Sequence, residues 1–420
     1  MKALLNLAAH SAWNRRFVLS LVVLSIALST LLLLGIERIR TDVRENFSQS
    51  VSGTDLIVGA RTGPVQLLLY SVFRIGSATN SIGWSSVQAI AQHKAVAWTV
   101  PISLGDSHRG FAVVGTSRDY FEHFRHGDRE PLVLAQGRPF ESVFDAVLGA
   151  DVARQLGYVL GERLVLSHGD GAMAANDHTD KPFTVVGILQ RTGTPVDRSV
   201  HIGLGGMQAI HLDWMAGAPL PGMAVPADQV SRHDLTPRSV TALLVGLKSR
   251  AAVFSVQREV AGFEAEPLMA ILPGVALDEL WDVVGIGERG LLAMTALVAL
   301  VSLAGLVAVI MAGLNERRRE LAILRAVGAG PRQLMFLLAA EGALVTLCGV
   351  VLGCAVYAVL VLSLGGWTAT QFGVALRLQA PSQNEVLLVA SVLVGGWLAS
   401  LLPGIRAYRL SLIDGLSPRV

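Results

Sequence analysis

Cysteine is nearly absent from this chain, whose 420 residues include only Cys348 and Cys354. Both lie in one apolar segment. Their spacing on a helix separates them by roughly 9 Å along the axis, which is too far for a disulfide bond. We therefore predict no intrachain disulfide. Any water-facing domain must be held together by its apolar core, and zinc motifs built on cysteine are excluded from it.

Charge is also scarce. Asp, Glu, Lys and Arg make up 16% of the residues, whereas hydrophobic residues make up 52% and the mean hydropathy is +0.53. These values exceed what a soluble globule of this length shows, so we predict a membrane protein with a large water-facing part. The net charge of +2 argues against a nucleic-acid partner.

The signatures of nucleotide binding and catalysis are missing as well. The chain contains no Gly-x-x-x-x-Gly-Lys-[Ser/Thr] and no Gly-Lys pair, so no loop of this chain is predicted to bind the phosphates of ATP. Neither Gly-x-Ser-x-Gly nor His-Glu-x-x-His occurs. We predict that the chain is not an enzyme, assign no catalytic residue and expect no cofactor in it.

Four segments are apolar over a length that can cross a bilayer, since about 20 helical residues match the roughly 30 Å hydrocarbon core. The first is uncharged and is followed by charged residues with no small-x-small cleavage site. We therefore interpret it as an anchor and not as a cleaved signal peptide. The predicted transmembrane helices cover 17–35, 290–314, 333–364 and 386–404.

Basic residues distinguish the connections between these segments. They are concentrated before the first span, between the second and third, and after the fourth, whereas the link 365–385 holds only Arg377. By the positive-inside rule, 1–16, 315–332 and 405–420 are cytoplasmic, and 36–289 lies outside. The alternation of apolar and polar side chains in 1–16 is typical of a helix lying in the membrane interface.

The external segment 36–289 is predicted to be a mixed α/β domain. Short β-rich runs alternate in it with helical stretches and are bounded by Gly, Pro, Asp or Ser. Residues 36–51 resemble a helical stalk that continues the first span, and 277–289 resemble its returning partner. The predicted fold class is a membrane protein with four transmembrane helices, one plus three, and a large mixed α/β extracytoplasmic domain inserted between the first and second.

The cytoplasmic connection 315–332 is predicted to contain an amphipathic helix. No Gly or Pro interrupts it before Gly328, which stands where a C-terminal cap belongs. Such a helix between two spans is a docking surface for another protein. The alternative is that its arginines only fix topology and contact anionic lipid. The predicted coupling residues are Glu316, Arg317, Arg318, Glu320, Leu321, Ile323, Leu324, Arg325 and Gly328.

Small residues in the third span suggest close helix packing. Gly342, Gly349 and Gly353 recur at spacings that place them on one face, which suits contact with a neighbouring helix of the protomer or of a dimer. Glu341 also lies in this span. We expect its carboxylate to face the helix bundle or the interface and do not favour a proton relay.

Nine of the ten histidines lie in the external domain. Metal ligands could come from His123 and His126 at helical spacing, or from a second group in one segment. No pair shows a diagnostic zinc spacing, and the sequence favours ordinary solvated or core histidines, so we assign no metal ligand. The second group is His168, Asp170, Asp177, His178 and Asp180.

The order of one span, a large external domain and three clustered spans resembles the MacB/FtsX-type permeases of ABC transporters, including the lipoprotein-release branch. Three motifs carry the resemblance. They are Glu316-Arg-Arg-Arg-Glu-Leu-Ala-Ile-Leu-Arg-Ala-Val-Gly-Ala in the coupling connection, Val147-Leu-Gly-Ala-Asp-Val-Ala-Arg-Gln-Leu-Gly157 with Phe183-Thr-Val-Val-Gly-Ile-Leu189 in the external core, and the closing Pro403-Gly-Ile-Arg-Ala-Tyr-Arg-Leu.

The resemblance implies a permease subunit in the bacterial inner membrane that moves its periplasmic domain when a separate cytoplasmic ATPase binds Mg-ATP. It implies a second permease copy, most simply a homodimer, and export or extraction of a substrate such as a lipoprotein or peptide. Further partners would be membrane lipid and a periplasmic adaptor, lipoprotein or metal-binding protein. The alternatives are a permease of a zinc-linked ABC system and a non-transporting mechanotransmission regulator of a periplasmic partner.

Overall fold

The computed structural model describes residues 16–50, 52–169, 177–215, 218–219, 225–316, 323, 325–326, 328–372 and 378–409. The chain divides into two compact units. The helical unit comprises Met1–Asp42, Gly285–Ala369 and Ala375–Val420. The α/β unit comprises Val43–Val284 and Thr370–Val374.

The helices differ sharply in length between the two units. In chain order they are α1 (Arg16–Gln49), α2 (Pro64–Leu68), α3 (Trp84–Ala91), α4 (Asp119–His123), α5 (Ala150–Leu156), α6 (Leu204–Ile210), α7 (Val253–Ala261), α8 (Pro273–Glu316), α9 (Pro331–Phe372) and α10 (Gln383–Arg409). Helix α2 continues into a π-helical turn, Leu69–Phe73. Short 3₁₀ turns are Pro195–Arg198, Val230–Arg232 and Arg250–Ala252.

The strands lie in the α/β unit and are mostly short. They are β1 (Leu56–Ala60), β2 (Ile82–Gly83), β3 (Val96–Ser103), β4 (Asp106–His108), β5 (Phe111–Thr116), β6 (Arg125–His126), β7 (Glu130–Pro131), β8 (Leu134–Gly137), β9 (Asp145–Leu148), β10 (Arg163–Leu164), β11 (Ser167–His168), β12 (Phe183–Leu189), β13 (Ser199–Gly203), β14 (Trp214–Met215), β15 (Ala218–Pro219), β16 (Ser239–Val240), β17 (Ala242–Leu247) and β18 (Leu268–Ile271).

Within the described residues, four helices are long and apolar enough to cross a membrane, namely α1, α8, α9 and α10. One precedes the α/β unit and three follow it, which confirms the predicted fold class. Helix α1 continues past residue 35 to Gln49, and α8 begins at Pro273, before the predicted start of the second span. Helix α9 also continues past residue 364 to Phe372, into the segment predicted as a link. The predicted interfacial helix in residues 1–16 lies almost wholly outside the described residues.

The start of α10 shows how the sequence defines a helix end. The Ser382 backbone N–H donates to Glu385 Oε2 at 2.7 Å, and the Glu385 N–H donates to Ser382 Oγ at 3.2 Å. This reciprocal pair is a capping box, in which two backbone donors of the first turn are satisfied by side chains. Helix α9 begins differently, at Pro331, whose fixed φ suits a first helical position.

The main sheet of the α/β unit has the strand order β10-β12-β9-β13-β5-β3-β17-β1-β18. Adjacent strands pair antiparallel except β12 with β9 and β13 with β5, which are parallel. Strand β4 pairs with β5 and in turn with β11, so these two short strands form an extension beside the main order. In that extension, Asp106 lies directly opposite His168.

Both faces of the sheet are covered by apolar side chains. In β1, Ile57 enters one buried cluster, whereas Leu56 and Val58 enter another. This alternation follows from the two-residue period of a strand. The stalk ends join the first cluster: the Phe47 ring of α1 stacks on Phe73 at 4.1 Å and meets Trp281 of α8 edge-on at 5.6 Å. The α/β unit thus buries apolar side chains on both faces of its sheet, and its sequence contains no cysteine.

Candidate functional site

The helical unit contains a polar cluster that joins α1 to α8 and α10. On α1, Glu37 accepts hydrogen bonds from Arg40 Nη1 at 3.0 Å and from Asn384 Nδ2 of α10 at 2.9 Å. Arg40 Nε also donates to Glu288 Oε2 of α8 at 3.0 Å. Charged side chains next to a membrane segment are tolerated when each one is paired with a group of opposite charge. Because the Glu37 carboxylate of α1 is hydrogen-bonded to α10, a movement of α10 would displace α1 as well.

Arg38 adds a second connection within this polar cluster. Its Nε lies 3.1 Å from Asp42 Oδ1 and its Nη1 lies 3.9 Å from Glu385 Oε1. All three side chains are less than a tenth exposed. Glu385 therefore serves both the capping box of α10 and the charge pairing with α1.

Serines connect α1 to α8 deeper in the helical unit. The hydroxyl oxygens of Ser25 and Ser29 lie 2.8 and 2.9 Å from Ser302 Oγ. Ser29 also donates to the Ser25 carbonyl at 2.9 Å. Hydroxyl contacts of this kind hold helices together where lipid offers no partner.

The predicted packing glycines lie at close helix contacts within one chain. A Cβ on Gly349 would lie 2.7 Å from Ile26 Cβ of α1, and one on Gly353 would lie 2.7 Å from the Ala27 carbonyl oxygen. A Cβ on Gly342 would lie 2.4 Å from Ser400 Cβ of α10. The absence of side chains lets α1 and α10 approach α9 closely. Glu341 is buried beside them, 9% exposed.

The predicted coupling segment lies largely outside the described residues, including Arg317, Arg318, Glu320, Leu321 and Leu324. What is described fits a helix that ends at the predicted cap. Ile323 and Arg325 are helical, the Ile323 side chain is 60% exposed, and Gly328 has a φ of +103°. Helix α8 ends at Glu316. An exposed isoleucine here is consistent with a surface that a partner covers, while the docking role remains a prediction.

A second constellation lies in the α/β unit, where four side chains from separate segments converge. Asp106 begins β4, His168 ends β11, His178 follows an isolated bridge between Ser167 and Asp177, and His211 caps the end of α6. Each offers one oxygen or nitrogen atom, and these four atoms all lie within 4.8 Å of one another. We call these four residues the histidine–aspartate cluster.

Three of its atoms form a small triangle. His168 Nδ1 lies 3.0 Å from Asp106 Oδ1 and 3.2 Å from His211 Nε2, and His211 Nε2 lies 3.4 Å from Asp106 Oδ1. Asp106 is fully buried at its side chain, whereas His168 and His211 are about a third and a quarter exposed. The cluster can therefore be reached from solvent along its two exposed imidazoles.

The proton positions of two histidines are restricted by their surroundings. His211 Nδ1 lies 2.9 Å from the Met207 carbonyl oxygen, which can only accept, so Nδ1 carries a proton. In the neutral ring, Nε2 then presents its lone pair to the triangle. His178 is 1% exposed, and among the described residues neither of its ring nitrogens has a hydrogen-bond partner. Asp106 Oδ2 is likewise buried and has no partner within the part of the chain that the structure describes.

Electrostatics favour a negative carboxylate among imidazoles. Burial acts to raise the pKa of Asp106, but hydrogen bonds from His168 and His211 outweigh it and lower that pKa to about 2. Burial lowers the pKa of His178 to about 4, so this ring stays neutral near pH 7. Burial also acts to lower the pKa of His211, but the hydrogen bond and charge of Asp106 raise it overall.

The turns that carry His178 and His211 are held together by a buried ion pair. Lys181 Nζ donates to the two Asp213 carboxylate oxygens at 2.9 and 2.8 Å and is fully buried. The indole of Trp214 lies against the His178 ring with centroids 4.5 Å apart. These contacts hold the His178 ring and the segment that follows His211 in place.

His123 and His126, the other histidines with a possible ligand spacing in the sequence, do not share a helix. His123 ends α4 and His126 lies in β6, so the helical spacing assumed for this pair is wrong because the chain turns at Phe124. The His123 ring stacks on Trp98 instead. Asp170 lies outside the described residues.

Only half of the cluster was visible to sequence reasoning. Asp177 accepts a hydrogen bond from Ser167, and Asp180 pairs with Lys181, so neither joins the cluster. The sequence places His168 and His178 in one group of possible ligands, but that group does not include Asp106 or His211. No short-range pattern marks them, since they are 62 and 43 positions from His168.

A separate buried histidine, His201 in β13, should make the α/β unit sensitive to acid. Its ring is fully buried, and burial together with the charge of Arg74 lowers its pKa to about 3. An unfolded histidine titrates near 6.5. A folded pKa below the unfolded value means that stability is complete above about pH 6.5 and declines as the pH falls towards 3.

We therefore expect His201 alone to cost the isolated segment 43–284 about 2 kcal/mol of unfolding free energy between pH 7.5 and 5. Chemical unfolding at several pH values measures this slope. His201→Gln should flatten the slope in this range even if it lowers stability at neutral pH. His233→Gln, altered at an exposed position, is the control. An unchanged slope in His201→Gln would show that another group causes the acid sensitivity.

Comparison with known proteins bears on both units. Residues 18–263 match the family model described as the MacB-like periplasmic core domain, and residues 292–412 match the one described as the FtsX-like permease C-terminal. The chain belongs to the MacB/FtsX family of ABC permeases. This permease is accordingly a multi-pass membrane protein and a transport subunit by family, and the family works with a cytoplasmic ATPase.

Two solved structures are similar to the external part of the permease. The periplasmic region of MacB from Actinobacillus actinomycetemcomitans is 12% identical with a TM-score of 0.33, covering 56% of this chain and 95% of that one. The extracellular domain of the noncanonic ABC-type transporter YknZ from Gram-positive bacteria is 12% identical with a TM-score of 0.29, covering 52% and 98%. No curated protein sequence matches the permease.

Proposed function

We propose that this permease couples ATP hydrolysis by a separate ABC ATPase to movement of its α/β unit. The movement exports or extracts a periplasmic or membrane substrate such as a lipoprotein or peptide. The observation that carries the proposal is the pair of family matches, which cover residues 18–263 and 292–412. The coupling segment lies inside the second match, between α8 and α9.

The helical unit supplies a physical route for this coupling. The coupling segment directly connects α8 and α9, α9 packs on α1 and α10 through glycines, and the polar cluster joins α1, α8 and α10. A displacement of the coupling segment by an ATPase would therefore be shared by the four helices. Mg-ATP is held by the ATPase and not by this chain, whose sequence has no phosphate-binding loop.

We further propose that two permease copies and two ATPases form the complex in the bacterial inner membrane. Of the alternatives, a zinc-linked ABC system is favoured by one specific observation, the histidine–aspartate cluster. A regulator that grips a periplasmic partner without transport would use the same helices, and it would be recognised by a stable partner protein and no transported substrate.

Purification of the intact complex tests this function. The permease, carried on a histidine-free affinity tag and extracted in mild detergent, should co-purify with an ABC ATPase in equal amounts. Mass spectrometry of the same sample identifies bound proteins and lipids. ATPase activity should rise when the permease is added to the isolated ATPase in lipid nanodiscs. An ATPase that neither co-purifies nor responds would contradict the proposal.

A further inference from the structure

The histidine–aspartate cluster has the composition and the spacing of a metal-binding site. We propose that Asp106, His168, His178 and His211 bind one zinc ion, with each side chain contributing one ligand atom. This inference goes beyond the proposed function, because it concerns only the α/β unit and requires neither an ATPase nor a transported substrate.

The distances within the triangle are those that zinc imposes. Zinc lies about 2.0 to 2.1 Å from imidazole nitrogen and about 2.0 to 2.2 Å from carboxylate oxygen, so two ligand atoms of a tetrahedral site are about 3.3 Å apart. The three distances among Asp106 Oδ1, His168 Nδ1 and His211 Nε2 are 3.0, 3.2 and 3.4 Å. One cation can therefore contact all three atoms with little movement of the side chains.

His178 provides the second, independent observation. Its ring is buried and lies 5.3 Å from the His211 ring between centroids, and neither of its nitrogens has a hydrogen-bond partner among the residues described, which omit 170–176. A buried imidazole is normally held by a hydrogen bond at one nitrogen at least. Its ligand atom lies within 4.8 Å of those of the other three residues, so a modest shift of the ring would make it a fourth ligand.

The choice of metal follows from the ligand atoms. Three imidazole nitrogens and one carboxylate oxygen suit zinc, whereas calcium and magnesium take mainly oxygen ligands. Four protein ligands also fill a tetrahedral shell, which is typical of sites that hold their metal and do not activate a water molecule.

The surroundings of the ligands support the same assignment. A histidine ligand usually donates its other ring N–H to a carbonyl or carboxylate, which fixes the ring and its tautomer. His211 does so through Nδ1 to the Met207 carbonyl, leaving Nε2 towards the cluster. The buried Lys181–Asp213 pair holds the two turns that carry His178 and His211. Zinc bound here would tie the β4–β11 extension to the end of α6.

Metal binding should be measured on the full-length permease in detergent, carried on a histidine-free tag and stripped with a chelator. After zinc is restored and excess removed, elemental analysis should find one zinc per chain. Titration calorimetry should give a single site, and magnesium or calcium in large excess should not displace the zinc. Substoichiometric zinc in the refilled wild-type protein would overturn the proposal.

Two ligand variants and one matched control test the residue assignment. His211→Gln and His168→Gln alter partly exposed side chains, and each should weaken zinc binding by at least roughly 100-fold, since even outer-shell changes cost ten- to a hundredfold. His233→Gln removes an exposed histidine far from the cluster in sequence and should bind zinc like the wild type. Wild-type affinity in both ligand variants would show that the zinc is held elsewhere.

A spectroscopic measurement keeps the test valid if a ligand variant does not fold. X-ray absorption of the zinc-loaded wild-type protein should fit three imidazoles and one oxygen at about 2.0 Å. A shell with sulfur, or one made of oxygens with at most one imidazole, would overturn the assignment. None of these measurements depends on the ATPase, so their outcome is separate from that of the proposed function.

Discussion

Replacing Leu324 with Asp should abolish association of the permease with its ATPase while leaving membrane insertion intact. Leu324 belongs to the predicted apolar face of the coupling segment, with Leu321 and Ile323. A helix that enters a groove on a partner buries such a face. An unpaired carboxylate at the centre of an interface costs at least about 2 kcal/mol, which is more than a tenfold loss of affinity.

The substitution keeps every arginine of the segment, so the positive-inside signal is preserved and topology should not change. Ala322→Asp is the matched control, because it adds the same charge about 160° away around the predicted helix. Co-purification measures ATPase association, and ATPase activity in nanodiscs measures coupling. If Leu324→Asp inserts normally and recruits the ATPase as well as Ala322→Asp does, the arginines serve topology and lipid contact and the docking role is wrong.

Replacing Gly353 with Leu should disrupt the helical unit. The Cβ alone would lie 2.7 Å from the Ala27 carbonyl oxygen and 2.8 Å from Thr30 Cβ, both on α1. The backbone of α9 fixes the position of this Cβ, so no side-chain rotation can relieve its contact with the Ala27 carbonyl oxygen. Helix α1 must therefore move away from α9. Inserting atoms into a packed contact costs about 1–3 kcal/mol, and leucine adds three carbons beyond the Cβ.

Gly305→Leu provides the control for this change. Gly305 lies in α8, and a Cβ there would meet no atom of the described residues within 4 Å. Both variants add the same apolar side chain to a membrane helix, so insertion into the bilayer should be equally favourable. Thermal unfolding monitored by size-exclusion chromatography in detergent should show a markedly lower midpoint for Gly353→Leu but not for Gly305→Leu. Equal midpoints for the two variants would mean that α1 does not pack on α9 at this position.

Sequence reasoning was most successful where the physical signal is local. The four membrane helices follow from apolar runs whose length matches the bilayer, and the strands of the α/β unit follow from short apolar runs between turn residues. The sequence does not predict that α9 extends to Phe372. The length of an apolar run indicates only the part of a helix inside the bilayer, whereas the helix itself continues until its backbone hydrogen bonding is interrupted.

The histidine–aspartate cluster illustrates what local patterns omit. His168 and His178 are close in sequence, and the sequence alone places them in one group. Asp106 joins them only through the pairing of β4 with β11, and His211 joins them from the end of α6. Such contacts are determined by strand order, which one sequence does not display. His123 and His126 show the opposite case: their spacing would place them on one face of a helix, but α4 ends at His123.

The serine contact between α1 and α8 restricts the motions available to the helical unit. Ser302 lies between Ser25 and Ser29, which are one helical turn apart. Sliding α1 along α8 by about 5.4 Å, one turn, would leave one of these hydroxyls without its interhelical partner in an apolar environment. Tilting or rolling about the three serines keeps both contacts. The serine contacts therefore favour a change of angle between α1 and α8 over a translation along their axes.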